Sequence, residues 1–176
     1  MNDLQKNFRH AMAHLSAAVS VITSNGPAGR CGVTASAVCS VTDSPPTLLI
    51  CLNRSSALRR VFELNQVLCV NVLGGEHIDL AKHFSGVTGV PMPERFEWPI
   101  WDEGRHALPV LRDAIVTCQG KITDCKEVGS HAVMFVELTD LTVVDQSEAL
   151  VYFGRQFHRV RCAQEADQTV GRTRSA

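Results

Sequence analysis

The stretch Cys31-Gly32-Val33-Thr34-Ala35-Ser36-Ala37-Val38-Cys39-Ser40-Val41-Thr42 holds the most suggestive chemistry in the chain. Read as a strand, it puts small apolar side chains at the odd positions and Thr34, Ser36, Ser40 and Thr42 on the opposite face. A strand edged by hydroxyls and free of bulky groups lets a flat ligand lie close to the backbone. The plain alternative is a half-exposed strand with ordinary surface Ser and Thr.

Three further clusters carry usable groups. Asn53-Arg54-Ser55-Ser56 lies between an apolar run and a helical pattern. A helix start offers unpaired N–H groups and a dipole that favours an anion. Arg54, Arg59 and Arg60 add positive charge there, so a phosphate would be received; the competing reading is a Ser-capped surface helix. His131, in Val128-Gly129-Ser130-His131, could polarise a carbonyl or hydrogen-bond an amide, or be a satisfied structural histidine. Tyr152-Phe153-Gly154-Arg155-Gln156-Phe157 joins aromatics to a cation, which suits a ring bearing a phosphate, or a last barrel strand with its aromatics in the core.

Other signals are weaker. His10 and His14 share a helix face at a zinc-like spacing, but the glutamate of the protease motif is missing. Gly26, Gly29 and Gly32 do not form a dinucleotide fingerprint, so a nicotinamide cofactor would have to bind without a Rossmann unit. P-loop and G-x-S-x-G motifs are also missing. The seven cysteines include no C-x-x-C pair. Cys31, Cys39, Cys51 and Cys69 sit in apolar runs as small hydrophobes, which predicts a reduced, cytoplasmic protein.

The elements that must position these groups are read from periodicity. Leu4, Phe8, Met12 and Leu15 predict a helix with one stripe on the core. Strands are expected at 19–23 and 30–41, joined by the turn Asn25-Gly26-Pro27-Ala28-Gly29. Apolar strands follow at 47–52 and 67–73, with a helix from about Ser56 to Leu64 between them. A helix over 76–85 ends at Gly86. Residues 87–109, with four prolines and three large aromatics, read as a long segment pinned by its own side chains. Strands return at 114–124, 131–144 and 149–153; in the second, the apolar parity slips near Thr139-Asp140, which predicts a bulge.

One domain over 1–162 and a polar, disordered tail over 163–176 account for the 176 residues. Strands and helices do not alternate regularly, so a doubly wound sheet is excluded and a closed or nearly closed barrel expected. The net charge of −1 gives no general attraction to nucleic acid or acidic membranes.

Together these segments resemble the short-chain flavin reductases of two-component monooxygenases. The likeness is carried by Phe8 to Val19, Cys31 to Pro46, Leu68 to Leu73, His83-Phe84-Ser85-Gly86 and Tyr152 to His158, and runs from about residue 8 to 160. It implies a mainly β fold with a few helices, a split β-barrel related to FMN-binding proteins, and a homodimer with flavin near the subunit interface. The implied activity is reduction of FMN or FAD by NADH, or by NADPH, to supply a separate flavin-dependent monooxygenase acting on an aromatic compound. By resemblance, Thr34, Ala35, Ser36, Ser40 and Val41 line the isoalloxazine and ribityl chain, and Asn53, Ser55 and Ser56 hold the phosphate end. Phe84 closes the pocket, while His131, Tyr152 and Arg155 face the nicotinamide, with His131 the candidate catalytic group. The histidine motif here reads Gly-Ser-His where the family commonly has Gly-Asp-His, which removes the expected carboxylate partner.

Overall fold

A computed structural model describes residues 2–145 and 148–161; the expected tail from Ala163 lies outside them. Helix α1 (Asp3–Met12) opens on Asn2, whose side chain accepts from the Gln5 N–H. It leads to β1 (Ala17–Ala18), β2 (Ser20–Ser24), β3 (Cys31–Ala35), β4 (Val38–Asp43) and β5 (Pro46–Asn53). Helix α2 (Ala57–Asn65), capped by the Ser56 hydroxyl, connects to β6 (Val67–Val72). Helix α3 (Ile78–Ser85) ends at Gly86, whose φ of 89° supplies the left-handed cap expected there. The segment after it contains β7 (Trp101–Glu103) and β8 (Pro109–Leu111). The chain finishes with β9 (Val116–Val128), β10 (His131–Val143), β11 (Glu148–Phe153) and β12 (Gln156–Arg161).

Seven strands form one antiparallel sheet in the order β3-β2-β6-β9-β10-β5-β4. Its two edge strands, β3 and β4, are consecutive in sequence, with only Ser36 and Ala37 between them. Two residues span at most about 7 Å, so the sheet must curl until its edges meet. The curl is fastened by the Cys51 N–H, which donates to the Ala37 carbonyl at 3.0 Å. No ladder joins β3 to β4, so the barrel is split there. The expected single strand over 30–41 is therefore two strands, since a strand cannot pair at both edges of a curled sheet without a break.

Inside the barrel, Ile22, Ile50, Phe62, Leu68, Met134 and Val136 form one core. A second core gathers Val21, Leu73, Leu80, Phe84 and Leu111 under α3, with Leu150 from the small sheet β1-β11-β12. The bulge predicted near Thr139 is present, where the β9–β10 register shifts between Leu138 and Asp140. Asn71 is fully buried and knits three segments: it accepts from the Leu111 N–H at 2.8 Å and donates to the Val21 carbonyl and the Thr23 hydroxyl.

Two expectations fail. The α1 stripe does not reach the core: Leu4 is 77% and Leu15 64% exposed, and no residue of the helix is buried. The helix is amphipathic, but among the described residues its apolar side stays uncovered. Cys39 is exposed, whereas Cys31 and Cys69 are buried as expected, with burial pushing the Cys31 thiol up to about 12. No described helix is long and apolar enough to cross a membrane.

Two histidines tie stability to pH. The Nδ1 of His77 accepts from the Gly74 N–H at 3.0 Å, and His83 is 6% exposed under a parallel Trp98 ring. Burial lowers both pKa values below the ordinary 6.5, for His83 with help from Arg95. Unfolding then takes up protons below that value, so this stability is complete above pH 6.5 and is lost as the pH falls. Melting temperatures should hold between pH 8 and 7 and drop from about pH 6 downward. His77→Gln, whose amide oxygen accepts without titrating, should flatten part of that slope.

Candidate functional site

Three hollows meet at the split in the barrel. One, of about 350 Å³, is bordered by Thr34, Ala35, Ser36, Lys82, Tyr152 and Arg155, with Val19, Ser85, Val87 and Phe157. A second, of about 300 Å³, continues past Ser36 to Cys51, Leu52, Asn53 and Ser56. A third, of about 340 Å³, passes Ser36, Tyr152 and Arg155 to reach Arg9, Met12 and Leu15 of α1. Ser36 borders all three, so they are arms of one open trough.

The local backbone explains why the trough is there. Ser36 and Ala37 belong to neither strand, and among the described residues their N–H groups have no protein partner. The Thr34 hydroxyl donates to the Ala81 carbonyl at 2.6 Å, which pins β3 to α3 and leaves its oxygen free only to accept from a ligand. Gly32 lets α3 come close: a Cβ there would lie 2.6 Å from the Phe84 ring. Phe84 packs against Phe96 and Trp101 at ring distances of 5.1 and 5.5 Å, so the aromatics of the long segment 87–109 pin it as expected.

The site residues expected from sequence divide. Thr34, Ala35, Ser36, Asn53, Ser56, Tyr152 and Arg155 come together along the trough. Ser40 and Val41 do not border it; they lie exposed on β4, where the register shifts between Ser40 and Thr42. Ser55 faces its own loop, donating its hydroxyl to Asn53 Oδ1 at 2.9 Å. Phe84 is 1% exposed and supports the wall from behind instead of closing the pocket.

His131 is displaced from its expected companions. It stands opposite Asn53 on β5 and borders another hollow, of about 740 Å³, with Ser130 and with Leu4, Phe8 and Arg9 of α1. Its Nδ1 lies 3.0 Å from the Ser130 hydroxyl, in keeping with the missing carboxylate. Of the three arginines near Asn53, Arg54 and Arg59 are engaged by carboxylates. Arg54 and Arg59 both pair with Glu127, at 3.0 and 2.8 Å, and Arg59 also with Glu63. Glu127 is distant in sequence and Glu63 lies one helical turn beyond Arg59, so counting the arginines alone overestimated the local field.

Lys82 and Ser85 were missed. They share the polar face of α3 at an i, i+3 spacing, opposite Leu80 and Phe84, so helical periodicity alone could have paired them. The turn at Gly154-Arg155 and strand β12 were also unforeseen; they build the hairpin that carries Tyr152 and Phe157, whose rings meet at 5.3 Å.

The split barrel thus presents, at its seam, backbone N–H groups without a protein partner beside aromatic and cationic side chains. Residues 12–161 match the flavin reductase like domain, and the chain belongs to that family. It is 58% identical over 162 residues to the 4-hydroxyphenylacetate 3-monooxygenase reductase component of Pseudomonas aeruginosa, covering 92% of this chain and 95% of that protein. It is 47% identical to an FMN reductase (NADH) of Pantoea ananatis, over 88% of this chain and 80% of the other. The crystal structure of a candidate flavin reductase from Haemophilus somnus superimposes with a TM-score of 0.83 at 39% identity, over 91% of this chain and all of that one.

Phe84→Ala should behave as a core deletion, lowering unfolding free energy by about 3–5 kcal/mol in denaturant titrations of flavin-free protein. A loss under 1 kcal/mol would mean that the ring is not part of the packed wall.

Proposed function

We propose that the protein is an NADH-dependent flavin reductase that releases reduced FMN or FAD to a separate monooxygenase, the best candidate being one that hydroxylates 4-hydroxyphenylacetate. The observation that carries this reading is the seam at Ser36–Ala37, two residues whose N–H groups have no partner among the described residues and which border the arms of an open trough flanked by Tyr152, Lys82 and Arg155. The relatives named above support the electron donor and the type of partner.

A flavin, when bound, supplies the redox chemistry by accepting a hydride from the nicotinamide cofactor. Thr34, Ala35 and Ser36 would bed its ring, and the N–H groups of Ser36 and Ala37 would donate to its carbonyl edge. Asn53 and Ser56 would hold the phosphate end from the second arm. Tyr152 and Arg155 would orient the nicotinamide, so the chain contributes positioning more than acid–base chemistry. His131 is kept as a group bordering the neighbouring hollow, not as the proton carrier. A trough open along its length favours exchange of flavin, as a protein delivering to a partner requires. The protein would act in the cytoplasm.

A homodimer is part of the same proposal. The uncovered face of α1 sets Leu4 and Phe8 in solvent, and a second subunit would remove that apolar surface from water. Sedimentation should give twice the chain mass at micromolar concentration, and a Leu4→Ser, Phe8→Ser double variant should shift the population to monomer.

The activity is tested by mixing the protein with NADH and FMN and following nicotinamide absorbance. Turnover well above the protein-free rate is expected; flavin binding without turnover would favour a non-catalytic flavin carrier instead. Ser36→Val should weaken flavin binding by about tenfold, because a branched apolar side chain intrudes on the ring bed although the backbone N–H stays in place. Thr34→Val should mainly cost stability, about 1 kcal/mol, because its hydroxyl serves the Ala81 carbonyl.

A further inference from the structure

Most arginines of the chain are used by the fold. Arg54, Arg59, Arg105, Arg112, Arg159 and Arg161 pair with carboxylates, Arg95 donates to the Val90 carbonyl, and Arg30 lies over the Phe96 ring. Among the described residues, the guanidinium groups of Arg9, Arg60 and Arg155 make no such contact. Two of these three, Arg9 and Arg155, border the same hollow, with Met12, Leu15 and Tyr152 as its apolar surface.

Arg155 is also held at a conformational cost. The β11–β12 hairpin turns through Gly154 and Arg155, with φ of 58° and 64°. A two-residue turn of this kind needs positive φ at both positions and prefers glycine or asparagine there. An arginine gives up about 1 kcal/mol to occupy it. The turn is fixed against α1 by the Gly154 N–H, which donates to the Ala13 carbonyl at 2.7 Å. That bond, together with the β1–β11 ladder that pairs Ala17 with Tyr152, sets the hairpin bearing Arg155 beside the end of the helix bearing Arg9.

We propose that Arg9 and Arg155 form a clamp for the diphosphate of the nicotinamide dinucleotide, which makes Arg9 of α1 a determinant of reductant binding. The proposal rests on the reductase reading above and extends it to a residue outside the barrel. A guanidinium fork matches phosphate oxygens in geometry and charge. The hollow joins the ring-binding arm through Ser36, Tyr152 and Arg155, so a dinucleotide with its nicotinamide in that arm would carry its diphosphate past both arginines. Met12 and Leu15 would then lie against the remaining nucleoside.

The test uses Arg9→Gln and Arg155→Gly in the full chain. Flavin-free protein is titrated calorimetrically with ADP-ribose, which carries the diphosphate without a nicotinamide; KM for NADH and for FMN are measured separately. Each variant should weaken ADP-ribose by about tenfold and raise KM for NADH by a similar factor, about 1.4 kcal/mol per site, with KM for FMN moving less than twofold. Arg155→Gly should melt at or above the wild-type temperature, because glycine is at ease at that φ, whereas a purely structural arginine would lower it. Unchanged ADP-ribose affinity in both variants overturns the clamp. A rise in KM for FMN as large as that for NADH also overturns it, assigning the arginines to the flavin phosphate. Failure of the wild-type chain to oxidise NADH would sink the reductase reading itself, whereas normal wild-type turnover with unmoved variants would sink only the clamp.

Discussion

The rest of the structure depends on how a seven-stranded sheet closes when its two edge strands are joined by only two residues. Ser36 and Ala37 must bridge β3 and β4, and the Cys51 N–H to Ala37 carbonyl bond holds that bridge to β5. Curling the sheet on itself buries Ile22, Ile50 and Phe62 within it. Because the bridge is too short to pair as a strand, it leaves unsatisfied backbone donors on the surface. Unpaired N–H groups are costly when buried but serviceable in an open trough, where water or a ligand satisfies them. The binding surface is thus a by-product of the closure.

A bridge this simple needs support from behind. The Thr34 hydroxyl on the Ala81 carbonyl and the bare Gly32 against the Phe84 ring bring α3 directly under β3. Phe96 and Trp101 then fix the otherwise irregular segment 87–109 to the same ring. Moving α3 outward would carry Lys82 and Ser85 away from the trough, so packing in the second core sets the position of charge in the site. The aromatic cluster is buried and rigid, the trough polar and open, and one helix serves both through its two faces.

The repeating parts of the fold were legible in the sequence; the parts set by distant partners were not. The bulge at Thr139 announced itself by a change in apolar parity, and the caps at Ser56 and Gly86 by residue types with a direct backbone reason. The break at Ser36–Ala37 left no trace, because neither residue is a Gly or Pro and the alternation runs through it. Strand β12 was hidden by its polar run, His158, Arg159 and Arg161, with Glu148 across the hairpin neutralising both arginines. Amphipathicity in α1 was read as a stripe on the core, but Leu4 and Phe8 stay exposed, because a periodic pattern marks an apolar face without saying what covers it. At the site, the small residues of β3 pointed to the trough, whereas the pairing of Arg54 and Arg59 with Glu127 and the inward placing of Phe84 required the tertiary structure.

The same contrast bears on affinity. A site that must hand on its product cannot enclose it, since each further tenfold of affinity needs about 1.4 kcal/mol and slows release in proportion. The trough meets this limit by presenting shallow arms, exposed hydroxyls and backbone donors instead of a buried cavity. Selectivity must then come from the placement of charge more than from enclosure. Lys82 sits on a helix clamped to the barrel and Arg155 on a hairpin tied to α1, so the two cations bordering the first arm are carried by different bodies of the fold. Their separation is fixed by core packing under α3 on one side and, on the other, by the β1–β11 ladder, the buried Leu150 and the Gly154 to Ala13 bond.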